Sequence, residues 1–179
     1  GEHRALLALD LAAVEVAGFD ALHLTGYSLF TRDDATPATA LIERARSTGL
    51  QVCVDPGSAG FLLDYGVERF LDAIAGATIV VPNLDEARVL TGLSSAAEAA
   101  AALAERFATV AVTVEGSGAI VNGTAVPAVP TTVVDPTGAG DAFTAGFLTE
   151  LLASGNAIAA GAAGAATAAR AVEKMGARP

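Results

Sequence analysis

Short β-branched runs alternate along this chain with longer segments whose apolar residues recur at helical spacing. Ala21–Thr25 reads as a strand ending at Gly26, and Gln51–Asp55 as a buried strand broken by Pro56-Gly57. Thr78–Val81 reads as a strand stopped by Pro82, and Thr109–Val114 as another β-branched strand. Between them, Pro37–Thr48 sets Ala40, Leu41 and Ala45 on one side and Glu43, Arg44 and Arg46 elsewhere, the pattern of an amphipathic helix stopping at Gly49. Val67–Ala75, closed by Gly76, and Ser95–Phe107 read the same way. Ser95 with Glu98 three residues later has the pattern of a capping box. Strands alternating with helices of this length predict βαβ units, a mostly parallel sheet and right-handed crossovers.

After Gly116 the texture changes. Ala119–Val121, Asn122-Gly123 and Thr124–Val126 predict a hairpin with a type I′ turn, and Thr132–Val134 predicts a short strand before Asp135-Pro136. Two helices are expected to follow, over about Gly140–Ala153 and over Ala157–Lys174. No internal repeat and no linker interrupts the pattern, so residues 1–179 read as one domain.

Composition narrows this picture. Apolar residues make up 53% of the chain and charged ones 17%, ample for a core and unlike a disordered chain. Aromatics are 5%, and the single cysteine, Cys53, excludes a disulfide framework or a multi-cysteine zinc site. It reads as a buried thiol in a reducing compartment. Ten basic against twenty acidic residues, a net charge of −10, argue against binding nucleic acid, whose affinity rests on Lys and Arg. Backbone amides could still hold a small phosphorylated ligand. The opening GEHRALLALDLAA lacks the layout of a signal peptide, and the Ala/Gly run from Asn156 to Ala169 is too short and weakly apolar to span a membrane. The expectation is a cytoplasmic protein with neither membrane nor nucleic-acid partner.

The sharpest feature is Asp135-Pro136-Thr137-Gly138-Ala139-Gly140-Asp141-Ala142-Phe143, a glycine-rich turn opening a helix. The amides of Gly138, Ala139 and Gly140 are expected to point along that helix axis, where the dipole favours an anion. Asp141 lies just inside the helix end, suited to accept a proton from a hydroxyl as charge develops beside it. The same residues also read as a tight turn with a helix-capping acid. Asn83 and Glu86, three apart, share a face at a helix start and equally fit a capping box. His23 and Cys53, in apolar strands, read as core, and Asp55 reads as the turn residue of Asp-Pro-Gly.

The run DPTGAGDAF resembles the C-terminal signature of the ribokinase-like (PfkB) carbohydrate kinases, usually D-T-x-G-A-G-D. Val81–Ala87 is similar to that family's N-x-x-E element, Val112–Ala119 to its T-x-G-x-x-G-A segment, and Met175-Gly176-Ala177 to its closing Gly-Ala. The landmarks fall in the family's order over nearly the whole chain. The resemblance implies a three-layer α/β/α sandwich and ATP-dependent phosphorylation of a sugar hydroxyl, or of a nucleoside on the same fold. It implies Asp141 as catalytic base and the amides of Gly138, Ala139 and Gly140 as the anion hole. Asn83 and Glu86 would organise Mg²⁺ and the ATP phosphates, Glu86 through water. Thr113, Gly116 and Gly118 would border the nucleotide, and Asp135 and Thr137 would lie where relatives hold a monovalent cation.

Three departures stand out. Glu115 replaces the first glycine of T-x-G and sets a negative charge near the expected phosphates, Pro136 replaces a threonine of the signature, and Asp55 precedes Pro-Gly rather than Pro-Asn. The family's amino-terminal segment, with its β lid and most sugar-binding residues, has no counterpart here. The chain is therefore expected to be an N-terminally incomplete kinase domain, with an unpaired strand edge near Ala21–Thr25 or Gln51–Asp55 and a tendency to form homo-oligomers. A non-catalytic nucleotide-binding remnant is the alternative from a different class.

Overall fold

A computed structural model of the chain describes residues 10–30 and 34–176. The amino-terminal residues 1–9 and Ala177 of the closing Met-Gly-Ala lie outside them.

The strands are β1 (Ala21–Thr25), β2 (Gln51–Asp55), β3 (Ile79–Val80), β4 (Thr109–Val114), β5 (Gly118–Val121) and β6 (Thr124–Pro127). The helices are α1 (Tyr27–Phe30), α2 (Thr36–Ser47), α3 (Ala59–Tyr65), α4 (Val67–Ala73), α5 (Leu84–Thr91), α6 (Ala96–Ala104), α7 (Ala139–Ser154) and α8 (Ala157–Val172). The strands form one sheet in sequence order, with β1 to β4 parallel and β5 and β6 added antiparallel. The β5–β6 turn has positive φ at both Asn122 (45°) and Gly123 (80°), the type I′ geometry expected.

Alternation along the strands separates two cores. Val52, Val54, Val80, Val110 and Val112 face the α2–α6 layer, with Leu41, Ile42, Phe70 and Leu103. Cys53, Ile79, Val81 and Ala111 face the other layer, against Phe143 and Phe147 of α7 and Ala160 and Ala165 of α8. A sheet buried on both faces is the three-layer α/β/α arrangement, and it explains why its strands are continuously apolar. The α7–α8 pair is close because small residues line it: a side chain on Gly146 would strike Thr167, and one on Gly164 would strike Phe143. Phe143 and Phe147 stack at 5.9 Å and root α7 on the sheet; deleting such a buried ring costs about 3–5 kcal/mol.

Several expectations are corrected. His23 is exposed rather than core, because the α7–α8 layer covers β2 to β6 and stops short of β1. Gln51–Asp55 is an interior strand, paired on both sides, so among the described residues only β1 of the two is an edge. Thr132–Val134 forms no strand: it lies as an exposed segment anchored where the Val134 and Asp135 amides donate to the Val172 carbonyl. Only half of the Ser95–Glu98 box forms, with the Ser95 hydroxyl accepting from the Glu98 amide at 3.5 Å. The helices α1 and α3 carry no clear periodicity because they are only 4 and 7 residues long.

Candidate active site

The parallel strands end at one edge of the sheet, and the segments leaving them enclose a cavity of about 300 Å³. Thr25 comes from the end of β1, Asp55 and Gly57 from the end of β2, Val81 and Asn83 from the end of β3, and Thr113 from β4. The start of α7 closes the cavity, with Pro136, Gly138, Ala139, Gly140, Asp141 and Thr144. Crevices beyond the carboxyl ends of parallel strands are where open α/β sheets bind ligands.

Each side of the cavity has a local cause. Asn83 continues β3 through a parallel bridge to Thr113, whose amide donates to the Pro82 carbonyl at 2.9 Å. Asn83 then caps α5: its Oδ1 accepts from the Glu86 amide and Glu86 Oε2 accepts from the Asn83 amide, both at 2.9 Å. The capping-box geometry is therefore complete here, with Glu86 buried beneath it at 3% exposure. Burial pushes the Glu86 carboxyl up to about 7; the Asn83 hydrogen bond opposes the rise, and the Asp55 and Asp85 charges add to it. Asp55 Oδ1 accepts from the Gly57 amide at 2.8 Å, the turn role expected of Asp-Pro-Gly. Asp55 also faces the cavity, where burial raises its pKa, the Gly57 hydrogen bond and His23 oppose the rise, and the Asp141 charge adds to it. Burial likewise pushes the Cys53 thiol far above its ordinary value, leaving it protonated core, as read from the sequence.

The start of α7 is built differently. Gly138 occupies the N-cap in the left-handed conformation (φ 80°), a position suited to glycine, and no side chain caps the helix. The Ala139 amide donates to the Pro136 carbonyl at 3.2 Å, which corrects the expectation that it stays open. The amides of Gly138, Gly140 and Asp141 have no partner among the described residues, and beside Gly140 a methyl group would meet nothing within 4 Å. The exposed Asp141 carboxylate stands on the same first turn.

Not every expected residue joins them. Gly116 and Gly118, with Glu115 between β4 and β5, do not line the cavity. Gly118 has a packing reason of its own: a side chain there would run into the backbone of Val126 and Pro127 on the paired strand. Asp135 and Thr137 also lie outside it. Asp135 accepts amide hydrogens from Thr137 and Gly176, each at 2.9 Å, and the Thr137 side chain, followed by these two amides, holds its pKa below the usual range. Thr25, Tyr27, Asp55, Gly57, Val81, Pro136 and Thr144 complete the described lining although sequence reasoning did not assign them to the site. Asp55 carried a signal, as an acidic residue at a strand's carboxyl end, whereas Thr144 carried none.

Asp55, Glu86 and Asp141 line the cavity, and among the described lining residues there is no lysine or arginine, so among them backbone amides supply the positive potential. Among the described residues no three His, Cys, Asp or Glu side chains cluster closely enough to hold a metal ion by themselves. This donor set fits a hard cation that arrives with a ligand's own oxygens and keeps part of its water shell. No helix among the described residues is long and apolar enough to cross a membrane.

The chain matches the profile of the pfkB family carbohydrate kinases over residues 4–179. No curated protein matches it. Among solved structures it is similar to adenosine kinase from Sinorhizobium meliloti, at 26% identity and a TM-score of 0.88, covering 97% of this chain and 56% of that one. A probable sugar kinase from Rhizobium etli follows at 27% and 0.87, covering 97% and 55%. Fructokinase from Vibrio cholerae, solved with fructose, ADP and a calcium ion, gives 25% and 0.76, covering 90% and 58%. The chain thus spans a little over half the length of these structures, and its fold is that of sugar and nucleoside kinases.

Proposed function

The chain belongs to the pfkB family of carbohydrate kinases, and on that premise we propose that its cavity is a phosphoryl-transfer site passing the γ-phosphate of ATP to a hydroxyl of a sugar or nucleoside. The observation that carries the reading is the first turn of α7, where three unpartnered amides and the Asp141 carboxylate open into one cavity. Anions settle at such helix ends, and a carboxylate beside them is placed for proton transfer.

In this reading the acceptor hydroxyl gives its proton to Asp141 as its oxygen bonds to the γ-phosphorus, and the bond from that phosphorus to ADP breaks. The amides of Gly138, Gly140 and Asp141 offset the charge on the transferring group, so positioning and electrostatics supply most of the rate. Asn83 and Glu86 would organise the phosphates and Mg²⁺, Glu86 through water. Mg²⁺ when bound would screen the charge between the polyphosphate and the cavity's three carboxylates. Thr113 borders the nucleotide, with Gly116 and Gly118 shaping the turn beyond it. Asp135 and Thr137 hold the loop entering α7, and the remaining lone pairs of Asp135 are those available to a monovalent cation.

The test is ADP release from Mg·ATP in the presence of D-fructose, adenosine and related hydroxyl compounds. Acceptor-dependent ADP release supports the reading. ATP binding with no acceptor turned over would replace it with a non-catalytic nucleotide-binding module.

A further inference from the structure

Thr144 lies one turn after Asp141 on α7, at the floor of the cavity, and is 2% exposed. Its hydroxyl is buried and makes no hydrogen bond. Other threonines within helices behave differently. Thr91, Thr149 and Thr167 each donate to the carbonyl four residues back, at 2.7, 2.8 and 2.9 Å, and Thr39 donates to the Ala73 carbonyl at 3.2 Å. The standard back-bond is open to a helical threonine, which divides between two χ1 rotamers, and Thr144 does not take it. A buried hydroxyl without a partner is destabilising, whereas valine would fill the same volume without that cost. Such exceptions in a folded protein call for a ligand or a catalytic role.

The neighbours of Thr144 narrow the chemistry. A helical side chain leans toward the N-terminus, so the Thr144 hydroxyl rises toward the level of Gly140 and Asp141, with Asp55 among the other lining residues. A phosphate oxygen at that depth would face two carboxylates, and its place is outward, on the amides of Gly138, Gly140 and Asp141. A neutral hydroxyl suits the floor, because it donates to a carboxylate and accepts from a threonine at once.

We propose that the Thr144 hydroxyl, turning about χ1 toward the cavity, donates a hydrogen bond to the hydroxyl-bearing acceptor and so helps to select and hold it against Asp141. This rests on the phosphoryl-transfer reading above and deepens it: Thr144 is a contact for the acceptor and not for the nucleotide.

The experiment compares wild type, Thr144→Val and Thr144→Ser, using Mg·ATP with D-fructose and with adenosine as probes. Loss of one hydrogen bond is expected to raise the acceptor KM of Thr144→Val about tenfold, with the KM for ATP unchanged and Thr144→Ser close to wild type. The melting temperature of Thr144→Val should equal or exceed that of wild type, since a buried orphan hydroxyl is removed. Thr144→Ala reads the same kinetics if valine impairs folding. Equal acceptor KM values in wild type, Thr144→Val and Thr144→Ala would overturn the contact while leaving phosphoryl transfer standing. If wild type transfers no phosphoryl group to either probe, the transfer reading fails, and the contact is judged from binding alone. A melting shift caused by millimolar D-fructose or adenosine in wild type and Thr144→Ser, absent in Thr144→Val, would then support it. An equal shift, or none, would overturn it.

Discussion

Two helix N-termini face the same cavity and are finished in opposite ways. At α5 two of the first four amides, those of Asn83 and Glu86, are satisfied by the chain itself through reciprocal side-chain bonds. At α7 a left-handed glycine replaces the capping side chain, and three amides are left without a partner among the described residues. Every helix begins with four amides that its own carbonyls cannot reach, and a side-chain cap is the usual remedy. The α5 end is thus built for stability, while the α7 end forgoes stability and stays open for an anion. Their shared cavity shows that folding and binding solutions to one local problem can stand side by side.

The contrast can be broken at four points. Replacing Asp141 with Asn keeps size and polarity but removes proton acceptance, so turnover should fall by ~10²–10⁴ while ATP affinity stays within a few-fold. Steady-state kinetics beside nucleotide titration would check it, and wild-type turnover in the variant would remove Asp141 from the base role. Gly140→Ala should separate binding from stability. Its methyl group enters open space where the anion is proposed to sit, so nucleotide affinity should drop about tenfold. The same change should stabilise α7 by about 0.5–1 kcal/mol, since glycine is the poorer helix former. Parallel calorimetry and thermal melts would show whether the two effects carry opposite signs.

At α5 the expected effects lie on stability beside the loss of Mg·ATP affinity that the proposed role of Asn83 and Glu86 implies. Asn83→Ala removes the cap and should cost about 1 kcal/mol, measurable by urea unfolding. The smallest effect is a slope. Glu86 is raised from 4.5 to about 7 in the folded chain, so between those values the native state binds more protons than the unfolded one. Its contribution to stability is therefore present below pH 4.5 and is lost as pH rises toward 7. Glu86→Gln can still accept from the Asn83 amide, and it should flatten that decline. Asp55, whose pKa burial also raises, should leave a residual slope of the same sign. An unchanged pH profile in the variant would show that Glu86 is not the titrating group.

Much of the architecture was legible because it is local. The alternation of β-branched runs with amphipathic segments placed β1, β2, β4 and the hairpin correctly, and Asn122-Gly123 could form little else. The exposed His23 was not legible, since an apolar strand at a sheet edge carries the same pattern as one beneath a helix layer. Thr132–Val134 misled for a related reason: a β-branched run becomes a strand only when a partner edge is available. In the site, Gly138–Asp141 stood out through its glycines and Asn83–Glu86 through its spacing, but Asp55 looked like a turn residue and is also part of the cavity wall.

By itself the sequence determined most of the strands, the longer amphipathic helices, the glycine turn that opens α7 and the acidic balance of the chain. These follow from periodicity, turn chemistry and charge, which act over a few residues or over composition as a whole. Tertiary structure alone decided that the Ala139 amide is consumed while that of Asp141 stays open, that Gly116 and Gly118 stand apart from the cavity, and that the Thr144 hydroxyl is sealed at its floor without a partner. Those outcomes depend on which atoms meet after the ends of four strands and one helix converge. Hydrogen-bond satisfaction and burial are properties of that meeting, and no single segment carries them.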